Sequence, residues 1–351
     1  MVKCIVAQLC AEPCAWTTTT VAAMDVGGAD VVVGPHDCVA TTCEGYQVLV
    51  GVGRSKALHT STQTDIFLCR RSGGAGTGAA GAWDLVAKVA RSPATNLEAE
   101  LHWTKTLDHA HIVRLVAATH VADCVCLVLP RYAMDGFAAV EQAVQEGRQG
   151  PAGGLVENEA RPLFRALVGA LGHLHGLNLA HRDVKPENVL VGRDGSVVLG
   201  DLGGVIPAAT TGVGGVLASC KGTRFFQAPE MVDAHVASGA WVRMYKRWQP
   251  RAAPRGPLPA PSTPAALDDK ALDTWAAGST LFAWLTFTFL VIGETGQPPE
   301  EYFAANPRGG GLRVWSPQLV DLLTGMLRVD PSRRLVMEQV LVHPWLTHGC
   351  A

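Results

Sequence analysis

Charge is scarce in this chain of 351 residues: charged side chains make up 17% of it, and the formal net charge is -2. No basic tail or patch stands out, so the composition gives no footprint for a nucleic-acid partner. Hydrophobic residues at 48% exclude a disordered tether and describe a soluble globular chain. The ten cysteines show no repeated CxxC and no Cys/His spacing. That excludes both a zinc-finger pattern and the disulfide framework of a small secreted domain, so the thiols are expected reduced and the chain cytoplasmic, with the nucleus left open. The opening MVKCIVAQLCAEPC has an early lysine and a short apolar run, but Pro13 and the threonines at 17–20 spoil it as a signal peptide.

One stretch does imitate a membrane helix. Residues 275–293 (WAAGSTLFAWLTFTFLVIG) carry no charge and are about long enough to cross a bilayer. They lack a basic topogenic flank and lie between other patterned segments, so a buried core helix is predicted and no membrane span.

The densest chemistry sits at 181–188, HRDVKPEN, followed by a β-rich apolar run that ends in Asp201-Leu202-Gly203. Two carboxylates, a lysine and an asparagine at this spacing suit phosphoryl transfer, which needs a proton acceptor, cations and positioned metal ligands. Residues 158–177 place Leu163, Phe164, Leu167, Leu171, Leu174 and Leu177 at helical spacing, so an amphipathic helix feeds this loop. On its far side 196–199 (SVVL) is predicted as a buried strand presenting Asp201.

In this order, with KGTRFFQAPE at 221–230 and Asp273, Trp275 and Gly278 as Asp-x-Trp-x-x-Gly, the chain resembles the eukaryotic-type protein kinases, serine/threonine branch. The resemblance runs from about residue 156 to 344. It implies a two-lobed α+β fold: a β-rich small lobe and a mainly helical large lobe, with ATP and Mg²⁺ between them. The implied boundaries are an extension of unknown role over 1–43, a small lobe over 44–129 with a Gly-rich insertion near 72–82, and a hinge and large lobe over 130–347. A basic, Pro-rich insertion near 241–264 is either a disordered loop or a docking element for a protein substrate.

The resemblance also implies roles. Asp183 would accept the proton of the attacking hydroxyl, Lys185 would sit beside the transferred phosphoryl, and Asn188 and Asp201 would ligate Mg²⁺. Glu230 would pair with Arg334 as a structural, not catalytic, ion pair. Thr210, Thr211 and Ser219 are either phosphoacceptors facing Arg182 or plain loop hydroxyls.

The small lobe matches more loosely. Lys88, on a strand over 85–89, resembles the lysine that grips the α and β phosphates, and Glu100 is its expected partner, with Glu98 as competitor. Gly51, Val52 and Gly53 would begin the phosphate-covering loop, but Lys56 stands where a third glycine belongs. The perfect GTGAAG at 76–81 is a decoy, because only one strand fits between it and Lys88. Residues 124–129 (CVCLVL) lead into a hinge of Pro130, Arg131 and Tyr132 whose backbone would hold adenine, with Leu129 limiting access behind it. Asp135 would reach the ribose hydroxyls or serve only as a turn aspartate. Leu202, where the family usually has phenylalanine, is a tolerable apolar exchange. The expected activity is transfer of the γ-phosphoryl of ATP to serine or threonine of a protein substrate. The alternative is a pseudokinase acting as a binding or scaffold module.

Overall fold

The protein is described by a computed structural model covering residues 16–20, 37–42, 46–51, 58–60, 64–71, 84–90, 97–121, 124–208, 210–211, 224–231, 267–288 and 315–347. The chain divides into two units: residues 1–108 with 113–132, and residues 109–112 with 133–351.

Among the described residues the first unit is an antiparallel sheet with one helix. Its strands are β1 (Trp16–Thr20), β2 (Asp37–Thr42), β3 (Tyr46–Gly51), β4 (His59–Thr60), β5 (Thr64–Arg71), β6 (Leu85–Ala90), β7 (Ala117–Val121) and β8 (Cys124–Pro130). They lie in the order β1-β2-β3-β5-β6-β8-β7, with β4 pairing β5. Alternate residues of neighbouring strands meet on one face: Tyr46 and Val48, Phe67 and Cys69, Ala87 and Val89, Cys126 and Val128 are all buried together. That period of two is what β-branched and aromatic residues on a pleated strand produce. Burial pushes the Cys69 thiol up to about 12, although a backbone hydrogen bond opposes it, so this cysteine is inert filling at neutral pH.

The residues read as an extension over 1–43 supply β1 and β2, and β2 pairs β3 from Asp37↔Gly51 to Thr41↔Gln47. Sequence reading missed them because a Thr-rich strand carries little apolar alternation. The Gly-rich stretch near 72–82 falls between β5 and β6, which pair directly from Cys69↔Leu85 to Thr64↔Ala90. It therefore lies between two adjacent strands ahead of Lys88, and its own residues lie outside those described.

The second unit is mainly helical: α2 (Gly136–Gln145), α3 (Glu157–Gly176), α4 (Asp269–Thr286), α5 (Pro317–Met326) and the short α6 (Met337–Leu341) and α7 (Pro344–Thr347); α1 (Glu98–Thr106) belongs to the first unit. Small strand pairs complete it, β9 (Met134–Asp135) with β11 (Val189–Val191) and β12 (Val197–Leu199), and β10 (Leu179–Ala180) with β13 (Ile206–Pro207). The predicted leucines of α3 form its buried stripe, Leu177 excepted, which is exposed just beyond the helix end.

The membrane-like stretch is the core of this unit. α4 starts six residues earlier than its apolar run, because Asp268 caps it by accepting from the amides of Lys270 and Ala271. It ends at Phe287, which adopts the left-handed conformation at φ 54°. Trp275 and Trp284 are almost fully buried. Among the described residues no helix is long and apolar enough to cross a membrane; residues 289–293 lie outside them.

Candidate active site

The loop 181–188 is held by α4. Asp273 is buried, and its Oδ2 accepts from the His181 amide at 2.7 Å and faces His175 Nε2 at 3.0 Å, while Oδ1 accepts from the Arg182 amide at 2.8 Å. Burial alone would raise its pKa, but the His175 hydrogen bond and charge, then the charge of His181 and the Arg182 amide, hold the carboxyl below the usual carboxylate range. Asp273 is thus an anion inside the core with its lone pairs spent on the loop. His181 Nε2 meets the Gly200 carbonyl at 3.1 Å and ties the loop to the end of β12.

On this frame the candidate catalytic groups converge. Asp183 Oδ2 accepts from Lys185 Nζ at 2.8 Å and from Asn188 Nδ2 at 3.1 Å. The Asn188 Nδ2 also donates to the Asp183 carbonyl at 2.7 Å. Asp183 Oδ1 is buried and has no hydrogen-bond partner among the described residues. One carboxylate oxygen is therefore clamped and the other is held ready to accept. With both amide hydrogens of Asn188 directed at Asp183, its Oδ1 is the atom left for a hard cation.

Asp201 follows β12 in the left-handed conformation, φ 54° and ψ 63°. Such a backbone costs an aspartate roughly 1–3 kcal/mol and is kept where surroundings dictate it. Three residues on, a Cβ at Gly204 would stand 2.8 Å from the His181 carbonyl, closer than real contacts allow. Glycine is required there because two backbone segments touch. Sequence reading gave Gly204 no role; the doubled glycine after Asp201-Leu202 was the available signal. Leu202 is fully buried, which accounts for an apolar side chain there.

In the first unit, Lys88 Nζ reaches both oxygens of Glu100, at 2.9 and 2.7 Å. Lys88 alternates with the core residues Ala87 and Val89 and so leaves the opposite face of the sheet, toward α1. Glu98, at the helix start, is exposed. Leu129 is buried in β8 opposite Val86. The Arg131 amide donates to the Asp84 carbonyl at 2.8 Å, so that hinge amide is occupied while the sheet stays closed. Gly51 ends β3, and Val52, Gly53 and Lys56 lie outside the described residues.

Asp135 accepts from the amides of Phe137 and Ala138, at 2.9 and 2.8 Å, and is the N-cap of α2. Arg334 and Glu230 form a two-pronged pair at 2.8 and 3.1 Å, with the arginine fully buried. Thr210 and Thr211 form a two-residue strand, β14, paired with β15 (Leu267–Asp268). Ser219 and Thr223 lie outside the described residues, as does the insertion at 241–264. Among those described, no group of three or more His, Cys, Asp or Glu is arranged around a metal position. Asn188 and Asp201 are hard oxygen donors, the chemical type that suits a Mg²⁺ taking its remaining ligands from phosphate and water.

A two-unit α+β fold with this loop is that of a protein kinase. The family model for the protein kinase domain matches residues 76–245. The chain is 29% identical over 245 residues to serine/threonine-protein kinase GRIK1 of Arabidopsis thaliana, covering 69% of this chain and 52% of that one. It is 27% identical over 250 residues to maternal embryonic leucine zipper kinase of Danio rerio, covering 71% and 31%. A probable myosin light chain kinase of Dictyostelium discoideum is 28% identical over 247 residues, covering 69% and 65%. Residues 76–245 thus match a protein kinase domain, and the relatives the chain is similar to include serine/threonine protein kinases. The chain spans about half of GRIK1 and about a third of the leucine zipper kinase.

Proposed function

We propose that this chain is a catalytically active serine/threonine protein kinase that moves the γ-phosphoryl group of ATP, with Mg²⁺, to a hydroxyl of a protein substrate in the cytoplasm. The observation that carries the reading is the split character of Asp183: Oδ2 is clamped by Lys185 and Asn188, whereas Oδ1 has no hydrogen-bond partner among the described residues. A hydroxyl donating to Oδ1 would be oriented for attack and would lose its proton there as the new phosphate ester forms. Lys185, 2.8 Å from Asp183, would also offer positive charge to the transferring group. Lys88, steered by Glu100, supplies a cation for the nucleotide phosphates. Asn188 and Asp201 are the residues that would hold Mg²⁺, which when bound neutralises charge on the phosphates.

A small pocket beside Asp183 is lined by the apolar Val184, Phe226, Met231 and Leu272 together with the polar Arg182 and Gln227. The test is transfer of labelled phosphate from ATP and Mg²⁺ to a generic basic protein, comparing wild type with Asp183→Asn. Label on serine or threonine, lost by a factor of about 10² or more in the variant, supports the reading. No transfer, with thermal stabilisation by ATP retained, replaces it with a nucleotide-binding scaffold.

A further inference from the structure

Asp269 is the first residue of α4, and it is not the cap, since Asp268 performs that task. It is nonetheless only 1% exposed. A carboxylate so deeply placed needs a cation. The cation is Arg182: its Nε lies 3.5 Å from Asp269 Oδ1, with side-chain exposures of 4% and 1%. Four residues further along the same helical face, Asp273 accepts the Arg182 amide. One face of α4 therefore grips the residue before Asp183 twice, by its main chain and by its guanidinium. The grip opposes a strain, because Arg182 sits at φ 66°, in the left-handed region.

The resemblance assigned the Arg182 guanidinium to a phosphate on the activation segment. The fold instead brings it a carboxylate from within. Backbone register sets Thr210 opposite Asp268 and Thr211 opposite Leu267, immediately before Asp269. A phosphate on either threonine would arrive beside two aspartates, where like charge repels it.

We propose that Asp269 is a built-in anion that holds Arg182 and, through it, orients Asp183, so that the catalytic loop is ordered without a phosphate on the activation segment. Asp269 is a positioning residue, and its effect on turnover rests on the kinase reading above. Substrates, nucleotide and metal do not touch it in this role.

The test compares wild type before and after phosphatase treatment with Asp269→Asn, Arg182→Met and the double variant. It reads hydrogen exchange at the amides of 181–188, which needs no turnover, and kcat and KM for ATP. Phosphatase is expected to leave wild-type exchange unaltered and kcat within about twofold, whereas Asp269→Asn speeds exchange at Arg182 and Asp183 and lowers kcat by about tenfold or more with KM for ATP unchanged. The double variant should be no worse than Arg182→Met, because the aspartate acts through that arginine. Faster wild-type exchange or lost turnover after phosphatase overturns the proposal, and so does an additive double variant. A wild type that transfers nothing before or after treatment defeats the kinase reading, and the exchange comparison still decides the role of Asp269. If Asp269→Asn fails to fold, the wild-type comparison decides alone.

Discussion

Replacing Glu230 with glutamine should cost this protein about 3 kcal/mol, and the geometry says why. Arg334 spends its donors inside the core: Nη1 on Glu230 and the Ala271 carbonyl, Nη2 on Glu230 and the Arg328 carbonyl, Nε on the Arg328 carbonyl again. Its guanidinium also lies over the Trp275 ring, 5.0 Å from the centroid. Glutamine keeps the shape and one acceptor but removes the counter-charge, and breaking a buried pair this way costs about 3–5 kcal/mol. Glu230 retains 14% exposure, so the lower end applies. At about 2–4 °C per kcal/mol for a unit of this size, the melting temperature should fall by about 6–12 °C. Urea unfolding of Glu230→Gln against wild type measures it, with Glu230→Leu/Arg334→Met expected to recover a large part of the loss because no charge stays stranded. A Glu230→Gln stability within about 0.5 kcal/mol of wild type would refute the argument.

Other outcomes follow from single contacts. Glu100→Gln should weaken ATP affinity, read by titration, whereas Glu98→Gln should leave it alone, since Glu100 is the buried partner of Lys88 and Glu98 is exposed. Asp135→Ala should lower stability by about 1 kcal/mol through the lost cap of α2; a large fall in nucleotide affinity with unchanged stability would restore the ribose role. His109 stacks on His173 at 4.9 Å, and burial first, then the charges of His173 and His111, lower its pKa. The folded state thus prefers neutral His109, so its contribution is present above the ordinary histidine pKa and is lost as pH falls below it. Thermal melts at pH 7.5 and at pH 5.5 should show a smaller acid loss in His109→Gln than in wild type.

The candidate catalytic loop was legible because its chemistry fixes residue types at short spacing, and in the structure Lys185 and Asn188 both donate to Asp183. Glu100 was legible through helix register against the following segment. The start of α4 was not, since hydropathy points to 275 whereas the cap is set by an aspartate at 268. Asp269 escaped for a related reason: a charged residue at a helix start reads as a solvated one, and only the fold reveals that Arg182 lies over it. Strand β2 escaped because its partner, not its own pattern, makes it a strand.

That last strand bears on where the chain can be shortened. Strand β5 accompanies β3 only from Tyr46 to Val48, whereas β2 runs beside it from Gln47 to Gly51. Among the described residues, the last two before the glycine pair, and Gly51 itself, are therefore laddered by β2 alone. A protein trimmed to begin at residue 44 would keep every motif the family shares and yet turn an interior strand into a half-open margin. Its damage would surface as fraying at Gly51, which loses its register partner Asp37, and as strand-to-strand aggregation along the new margin.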